Sequence, residues 1–278
     1  MCSAQVLLIS SFICSRPFKF IVGRSRSEQL IHSNLVARQS HSLNTLINGP
    51  MREAQDQTVV WEETDEDTFI RFAEYAYTGS YSEGRPRQRP MRDEKPDLPE
   101  SEKPKPTPAP AASTHRRRIK STAPVQFELD VPSTSKKEEL WSRFTTLYPP
   151  TPRTTETFVN NAKDDCSEVF LSHARVYVFA DYHGITRLQT LALEGLRQAL
   201  TRFVLYHEGC NDISELVSFC FSETVDKGDQ HEPLRSLVCF YVACKLEMLW
   251  QNQNFRDLVE TLHDFPSSLI SVLLDRLD

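Results

Sequence analysis

The residues of this chain that could carry chemistry begin with a histidine and a cysteine three positions apart. His207 and Cys210 are of the types that hold zinc, but a structural zinc site takes four ligands. Cys220, Cys239 and Cys244 lie within apolar patterns typical of helices and form no second pair at ligand spacing. The spacing therefore favours packed or capping residues, and we predict neither a metal nor another cofactor.

The remaining candidates for catalysis are four histidines and an acidic run. No partnered nucleophile accompanies the histidines, so they are better interpreted as helix-start or core-edge residues. These histidines are His32, His41, His173 and His183. The acidic run, residues 62–67, stands where a helix is predicted to begin, and the helix dipole accounts for carboxylates there. The chain has no glycine-rich phosphate loop and no Gly-x-Ser-x-Gly turn, and we predict that it is not an enzyme.

Short strands are predicted in the first quarter of the chain. Residues 18–22 alternate as a strand would and stop at Gly23, a residue that suits a tight turn. Residues 29–32 can return as an antiparallel partner, which makes a hairpin. Residues 58–61 form a third apolar run and are predicted to be a third strand.

A residue with a side-chain hydroxyl precedes each helix predicted in the same region. Ser33 and Ser42 are expected to cap two short helices, and Thr64 is expected to lead a longer one with an acidic first turn. Phe69 and Phe72 then recur at helical spacing, which puts them on one face of that longer helix.

Beyond residue 166 the helical pattern is almost uninterrupted. Phe179 belongs to a first apolar stripe and residues 188–203 to a second, with Gly184 as the predicted C-cap between them. Pro233 and Pro266 mark the first turns of two later helices. The fold class is therefore α+β, and the two halves are expected to close over one core, with tyrosine hydroxyls at its wet edge. Those tyrosines are Tyr75, Tyr77 and Tyr81.

A proline-rich, charged tract separates the two halves. Thirteen of the 17 prolines lie between Pro86 and Pro152, among few aliphatic residues. Such a composition cannot offset the entropy of ordering by burial, so residues 82–165 are predicted to be a disordered insertion. This tract carries 16 Lys and Arg against 13 Asp and Glu, whereas the whole chain carries 32 against 38. The remainder is acidic, which argues against a large nucleic-acid-binding face.

Cysteine usage and hydropathy indicate the compartment. The seven cysteines are an odd set without a Cys-x-x-Cys pair, which favours buried thiols in a reducing compartment. The apolar run at residues 6–14 has no basic residue before it and is too short to span a bilayer. We predict an intracellular protein, cytoplasmic or nuclear, that binds neither a membrane nor a small-molecule substrate.

Four motifs follow one another along the chain. They are Phe18-x-Phe20-x-Val22-Gly23, His32-Ser33-x-Leu35-x-Ala37-Arg38-x-Ser40, Phe69-x-x-Phe72-x-x-Tyr75-x-Tyr77-Thr78-Gly79-x-Tyr81, and His173-Ala174-x-Val176-Tyr177-x-x-Ala180-Asp181-x-x-Gly184-Ile185-x-x-Leu188. In order and spacing they resemble the BTB/POZ family, particularly its short fungal members. The resemblance covers roughly residues 17–81 and 168–203, and the third and fourth motifs are the specific ones.

The resemblance implies a small sheet flanked by a helical cluster, serving as a docking module for association with itself or with other proteins. It divides the chain into an N-terminal segment (1–16), a first part (17–81), the insertion (82–165), a second part (166–205) and a helical C-terminal extension (206–278). Arg16-Pro17 stands where many family members carry an acidic residue. Little sequence precedes it for the N-terminal helix of swapped family dimers, so that mode of dimerisation is not carried over.

Met51-Arg52-Glu53 is the local feature with the sharpest implication. Family members that bind a cullin scaffold place a hydrophobic-x-Glu motif between the second short helix and the third strand, and Met51 and Glu53 match it. An exposed methionine can fill a pocket on a partner helix while a glutamate accepts a charge-assisted hydrogen bond. A recruiting subunit of a cullin ubiquitin ligase is thus one alternative function, and a solvated turn is the other interpretation of the same residues.

Two segments of the insertion suggest further alternatives. Arg116, Arg117, Arg118 and Lys120 form a compact basic run that is either a nuclear import signal, which would suit a chromatin-associated regulator, or simply solvated. Residues 104–110 alternate proline with other types and favour an extended polyproline II spacer or a ligand for an aromatic groove.

Overall fold

The architecture is α+β, as predicted, with a three-stranded sheet near the start of the chain, three short helices between its second and third strands, and longer helices after it. A computed structural model describes residues 14–89, 136–146, 160–226 and 231–277. The strands are β1 (Pro17–Val22), β2 (Ser27–His32), β3 (Thr58–Trp61), β4 (Arg87–Gln88) and β5 (Asp164–Asp165). The helices are α1 (Ser33–Ala37), α2 (His41–Asn48), α3 (Arg52–Asp56), α4 (Glu66–Thr78), α5 (Lys136–Thr146), α6 (Ser167–His183), α7 (Thr186–Arg202), α8 (Cys210–Glu223), α9 (Pro233–Leu249), α10 (Gln253–Thr261) and α11 (Asp264–Leu277).

The central strand of the sheet is β1. It pairs antiparallel with β2 through a turn at Gly23, whose φ of 69° lies in the left-handed region that glycine adopts without strain. It pairs in parallel with β3, and Phe20 faces Val59 across that ladder. Phe18, Phe20 and Val22 are fully buried, so every second residue of β1 points into the core.

The helices next to the sheet begin one or two residues from the predicted caps. Ser33 is already helical, because α1 starts directly after the extended His32. In α2 the cap is Ser40 and not Ser42, since Ser40 Oγ accepts a hydrogen bond from Leu43 N at 3.1 Å. A cap must be the last residue with extended backbone, and two serines so close together carry nearly the same signal in sequence.

Helix α4 is also capped by the neighbour of the predicted residue. Asp65, and not Thr64, accepts a hydrogen bond from Thr68 N at 2.9 Å. Gly79 ends the helix with a φ of 80° in a left-handed C-cap. Between these ends, Phe69 and Phe72 are buried on one face, as predicted.

The two halves of the chain meet in one core. Gly184, with a φ of 68°, separates α6 from α7 as predicted, so both helices can pack side by side. The ring of Phe179 on α6 lies 5.0 Å from Phe72 and 5.6 Å from Trp61, centroid to centroid. Aromatic pairs at these separations stabilise the fold by more than the burial of their apolar area alone. The prediction that one core joins the segments before and after the insertion is therefore confirmed.

The predicted disorder of residues 82–165 is wrong for the parts of that tract that the structure describes. Arg87 and Gln88 of β4 pair antiparallel with Asp165 and Asp164 of β5, so the two ends of the tract are hydrogen-bonded to each other. Helix α5 lies inside the tract and buries Leu140 and Phe144. Composition averaged over the whole tract hid this amphipathic helix. Residues 90–135 and 147–159 lie outside the described residues, so the prediction of disorder there stays a prediction.

Helix α5 is held by aromatic and polar contacts. Trp141 stacks on Phe144 with centroids 5.4 Å apart, and Phe144 lies 5.7 Å from Tyr241 of α9. The carbonyl oxygen of Thr145 accepts a hydrogen bond at 2.6 Å from Arg197, which forms a buried ion pair with Glu194 on α7. A buried ion pair with extra hydrogen bonds keeps its charges compensated.

Helices α8 to α11 form the predicted helical extension, and α8 packs on both α6 and α9. The Tyr177 hydroxyl of α6 donates to Glu232 Oε1 at 2.5 Å, and Glu232 Oε2 caps α9 by accepting from Arg235 N at 2.9 Å. The Arg235 guanidinium also lies 4.5 Å from the ring centroid of Phe221. These contacts join the extension to the body of the protein through a buried polar network.

Candidate docking surface

Met51 and Glu53 lie at the start of α3, on the connection between α2 and β3. Met51 is the N-cap, with extended backbone and a side chain that is 53% exposed. Glu53 stands in the first turn and is half-buried. Gln57 ends the helix at a φ of 50°, and its carbonyl oxygen accepts a hydrogen bond from Lys19 N at 2.9 Å. The two predicted contact residues are therefore held on a short helix that is tied to β1.

Met51 lines a groove together with Leu46, Trp61, Tyr182 and His183, which we call the Met51 groove. Its walls come from α2, from the end of β3 and from the C-terminal turn of α6. Tyr182 is 83% exposed. A half-exposed methionine beside a largely exposed tyrosine gives the apolar contact area that protein interfaces favour.

Trp61 and Tyr182 were missed by reasoning from the sequence. Tyr182 falls off the buried stripe of α6, and an aromatic residue off the stripe is the signal that could have identified it. Trp61 follows the strand pattern and gives no separate sign of its partly exposed position.

His183 occupies the floor of this surface and behaves as an apolar residue. Its ring lies 4.4 Å from the rings of both Trp61 and Phe179. Burial lowers the pKa of His183 to about 4, so the imidazole is neutral near pH 7. It contributes packing to the groove and no positive charge.

His173 is the second predicted core histidine, and the structure joins it to Tyr81. The Tyr81 hydroxyl and His173 Nδ1 lie 2.8 Å apart, and both residues are buried. Glu83 Oε2 lies 3.6 Å from His173 Nε2 and accepts a hydrogen bond from Arg202 at 3.2 Å. The prediction of a wet hydroxyl is therefore wrong for Tyr81, because its hydroxyl has a buried histidine as its partner.

The other two tyrosines differ from each other. Tyr75 is buried, and burial raises the pKa of its phenol. Tyr77 is about half exposed, as expected of a core edge, and its hydroxyl lies 2.8 Å from His32 Nδ1. His32 is the N-cap of α1, which confirms the prediction of a helix-start histidine, and its ring is bound to Tyr77.

The residues considered as a metal site do not converge. Within the described ranges, no group of three or more His, Cys, Asp or Glu side chains is placed to hold a metal ion. Cys210 is buried at the start of α8, and desolvation raises the pKa of its thiol, as does the charge of Asp212. Cys166, Cys220, Cys239 and Cys244 are likewise buried, as predicted for packed thiols.

The acidic run at the start of α4 is spread over several structural contacts. Asp65 caps the helix, Glu66 accepts a hydrogen bond from the Ser25 hydroxyl, and Glu62 lies 3.5 Å from Arg26. Carboxylates bound to separate partners in this way do not form a pair that shares one proton.

Several predicted features lie outside the described residues. They are the basic run with Arg116, Arg117, Arg118 and Lys120, the proline-rich residues 104–110, and the apolar residues 6–13. The helices that the structure does describe are too short or too polar to cross a membrane. Neither a protein-family model, nor a curated protein, nor a solved structure matches this chain.

Proposed function

We propose that this protein is a non-enzymatic interaction module of BTB/POZ type that associates with itself or with other proteins. The four sequence motifs support the family, and the sheet order β2-β1-β3 with a helical cluster is consistent with it. The proposal rests on one observation above all. Met51 and Tyr182, separated by more than a hundred residues, expose their side chains in one groove.

A recruiting subunit of a cullin ubiquitin ligase is the second candidate, and the exposure of Met51 favours it. A buried Met51 would have left only the general docking function. With Met51 exposed and Glu53 in the first turn of the same short helix, an apolar anchor and an anionic acceptor stand close together. A partner helix could bury the thioether and donate to the carboxylate.

The test uses the purified full-length protein and the N-terminal region of a recombinant cullin. Calorimetry should detect binding by the unchanged protein, and the Met51→Ala, Glu53→Ala double variant should weaken it by at least about tenfold, the loss expected for a central interface anchor. Leu30→Ala is the matched control, because Leu30 is an apolar side chain, 64% exposed, outside the Met51 groove. Equal binding by both variants would remove the cullin candidate.

The broader docking function needs a different measurement. Sedimentation velocity of the full-length protein, with and without the proteins captured by it from its own cells, should reveal a dimer or a defined complex. The Met51→Ala, Tyr182→Ala variant should shift that equilibrium toward the monomer. A protein that stays monomeric and forms no complex under these conditions would contradict the proposal.

A further inference from the structure

A second groove adjoins the Met51 groove and differs from it in charge. The two share Trp61, Tyr182 and His183, but the second extends over the loop after β3 and onto α8. Glu62, Glu63, Asp65 and Glu223 lie along it, and Thr68 forms part of its wall; we call it the acidic groove. No residue of the candidate cullin motif lines it.

Negative charge dominates the acidic groove. Arg175 is the cation among its lining residues, and it is already paired with Glu168 at 2.9 Å. Glu63 and Glu223 are exposed, and no ion pair joins either of them to another described residue. His183 adds no compensating charge near pH 7, since burial keeps its imidazole neutral. The groove therefore presents carboxylates that a basic ligand would neutralise.

The hydroxyl of Thr68 is a second feature of this groove, independent of its charge. The residue is only 3% exposed, yet its hydroxyl oxygen has no hydrogen-bond partner within the described part of the chain. The backbone N–H of Thr68 donates to the Asp65 carboxylate, so only the side-chain hydroxyl of Thr68 lacks a hydrogen bond there. Buried hydroxyls are nearly always hydrogen-bonded, and one without a partner in the wall of a groove is suited to a polar group of a ligand.

Aromatic side chains complete the chemistry of the groove. Phe179 is buried beneath it, and Trp61 and Phe219 are partly exposed along it. Apolar rings next to carboxylates suit a side chain with an aliphatic stem and a cationic head, because the stem packs on the rings while the head reaches the acids. Arginine fits better than lysine, since its five N–H donors can reach several acceptors at once.

We propose that the acidic groove binds an arginine-bearing, extended peptide of a partner protein. In this arrangement the guanidinium donates hydrogen bonds to Glu63 and Glu223. The Thr68 hydroxyl forms one hydrogen bond with the same peptide, as either donor or acceptor. This proposal extends the proposed docking function by a second surface, which would bind a basic peptide. It does not depend on Met51 or Glu53.

The experiment measures binding of a fluorescein-labelled peptide with two arginines around a leucine to the full-length protein by fluorescence anisotropy. A peptide with citrulline in place of both arginines is the matched probe, since citrulline keeps the shape and removes the charge. The arginine peptide should bind at least about tenfold more tightly, and its affinity should fall as salt is raised. Equal affinity for the two peptides would overturn the proposal.

Variants then locate the site. The Glu63→Gln, Glu223→Gln double variant should bind the arginine peptide about tenfold more weakly. The Glu215→Gln, Glu260→Gln double variant is the control, because it removes the same charge from exposed positions elsewhere and should bind the peptide as the unchanged protein does. Thr68→Val keeps the shape of the side chain and should weaken binding several-fold without loss of folding. A Thr68→Val protein that binds the peptide fully, or equal loss from both glutamate pairs, would contradict the assignment.

One further variant separates this proposal from the cullin candidate. Met51→Ala with Glu53→Ala should bind the arginine peptide as the unchanged protein does. Loss of peptide binding in that variant would place the peptide in the Met51 groove and overturn the assignment to the acidic groove. Retained peptide binding with lost cullin binding would establish two separate surfaces.

Discussion

Arg89 Nη2 lies 2.6 Å from both carboxylate oxygens of Asp212, and this contact ties the segment after β4 to helix α8. The same carboxylate accepts a hydrogen bond from Cys166 N at 2.9 Å, where α6 begins. Asp212 is almost completely buried. One carboxylate therefore joins three parts of the chain that are far apart in sequence.

Replacing Asp212 should change how stability depends on pH. Burial raises the pKa of Asp212 to about 6, despite the hydrogen bonds from Cys166 N and Arg89, so between about pH 4 and 6 the folded protein holds a proton that the unfolded chain releases. The contribution of Asp212 to stability is therefore full below pH 4 and is lost as the pH rises through 6. It should amount to about 3 kcal/mol in the free energy of unfolding.

Urea denaturation at several pH values compares the unchanged protein with Asp212→Asn. The variant should be less stable because Arg89 loses its partner, but its profile should lack the decline between pH 4 and 6. Parallel profiles for the two proteins would show that Asp212 does not titrate in this window.

Two buried tyrosines form a matched pair for hydrogen bonding. Tyr177→Phe removes a donor to the Glu232 carboxylate and should lower the free energy of unfolding by about 1.5–3 kcal/mol. Tyr241→Phe removes a hydroxyl that has no partner within the described residues, so it should be neutral or slightly stabilising. Chemical denaturation of both variants checks this, and equal losses would show that the hydrogen bond to Glu232 adds no stability of its own.

Helix α5 should contribute to stability although it lies inside the proline-rich tract. Phe144 is fully buried between Trp141 and Tyr241, so Phe144→Ala should cost about 3–5 kcal/mol. Glu139→Ala on the exposed face of the same helix should change stability by less than about 0.5 kcal/mol. Similar stabilities for the two variants would mean that α5 does not pack on the body of the protein in solution.

The part of the tract before α5 should be dispensable for folding. Residues 95–130, replaced by a short Gly/Ser linker, should leave a protein that melts cooperatively near its original Tm, because their composition predicts no buried core. Extending the deletion through residue 146 removes α5 and should lower the Tm clearly. Calorimetry distinguishes the cases, and loss of the transition in the shorter deletion would contradict a single core that does not need this segment.

The long helices were predictable because their signals are local. Apolar residues at helical spacing recur over many turns in α6 to α9, and Gly184 and Pro233 mark an end and a start that the structure retains. The caps were predictable only to within two residues, since neighbouring Ser, Thr and Asp side chains compete for the same role. The parallel pairing of β3 with β1 has no local signal at all.

The contacts between segments that are distant in sequence, both at the surface and in the core, were the least predictable from the sequence. The hydrogen bond between Tyr81 and His173 joins residues 92 positions apart, and nothing near either residue specifies the other. The acidic groove has the same character, since the loop after β3 and Glu223 of α8 meet only in the folded chain. Exposure of Met51 likewise follows from the fold, so the motif alone left two interpretations open.

The split of one core between two distant halves has a consequence for biosynthesis. Phe72 cannot complete the burial of its ring until Phe179 has been translated, and 92 residues separate even Tyr81 from His173. At ordinary rates of translation, roughly 5 to 20 s pass while the first half waits on the ribosome with part of its apolar face exposed. A charged, proline-rich spacer suits that interval, because it offers little apolar surface for the waiting half to misfold against.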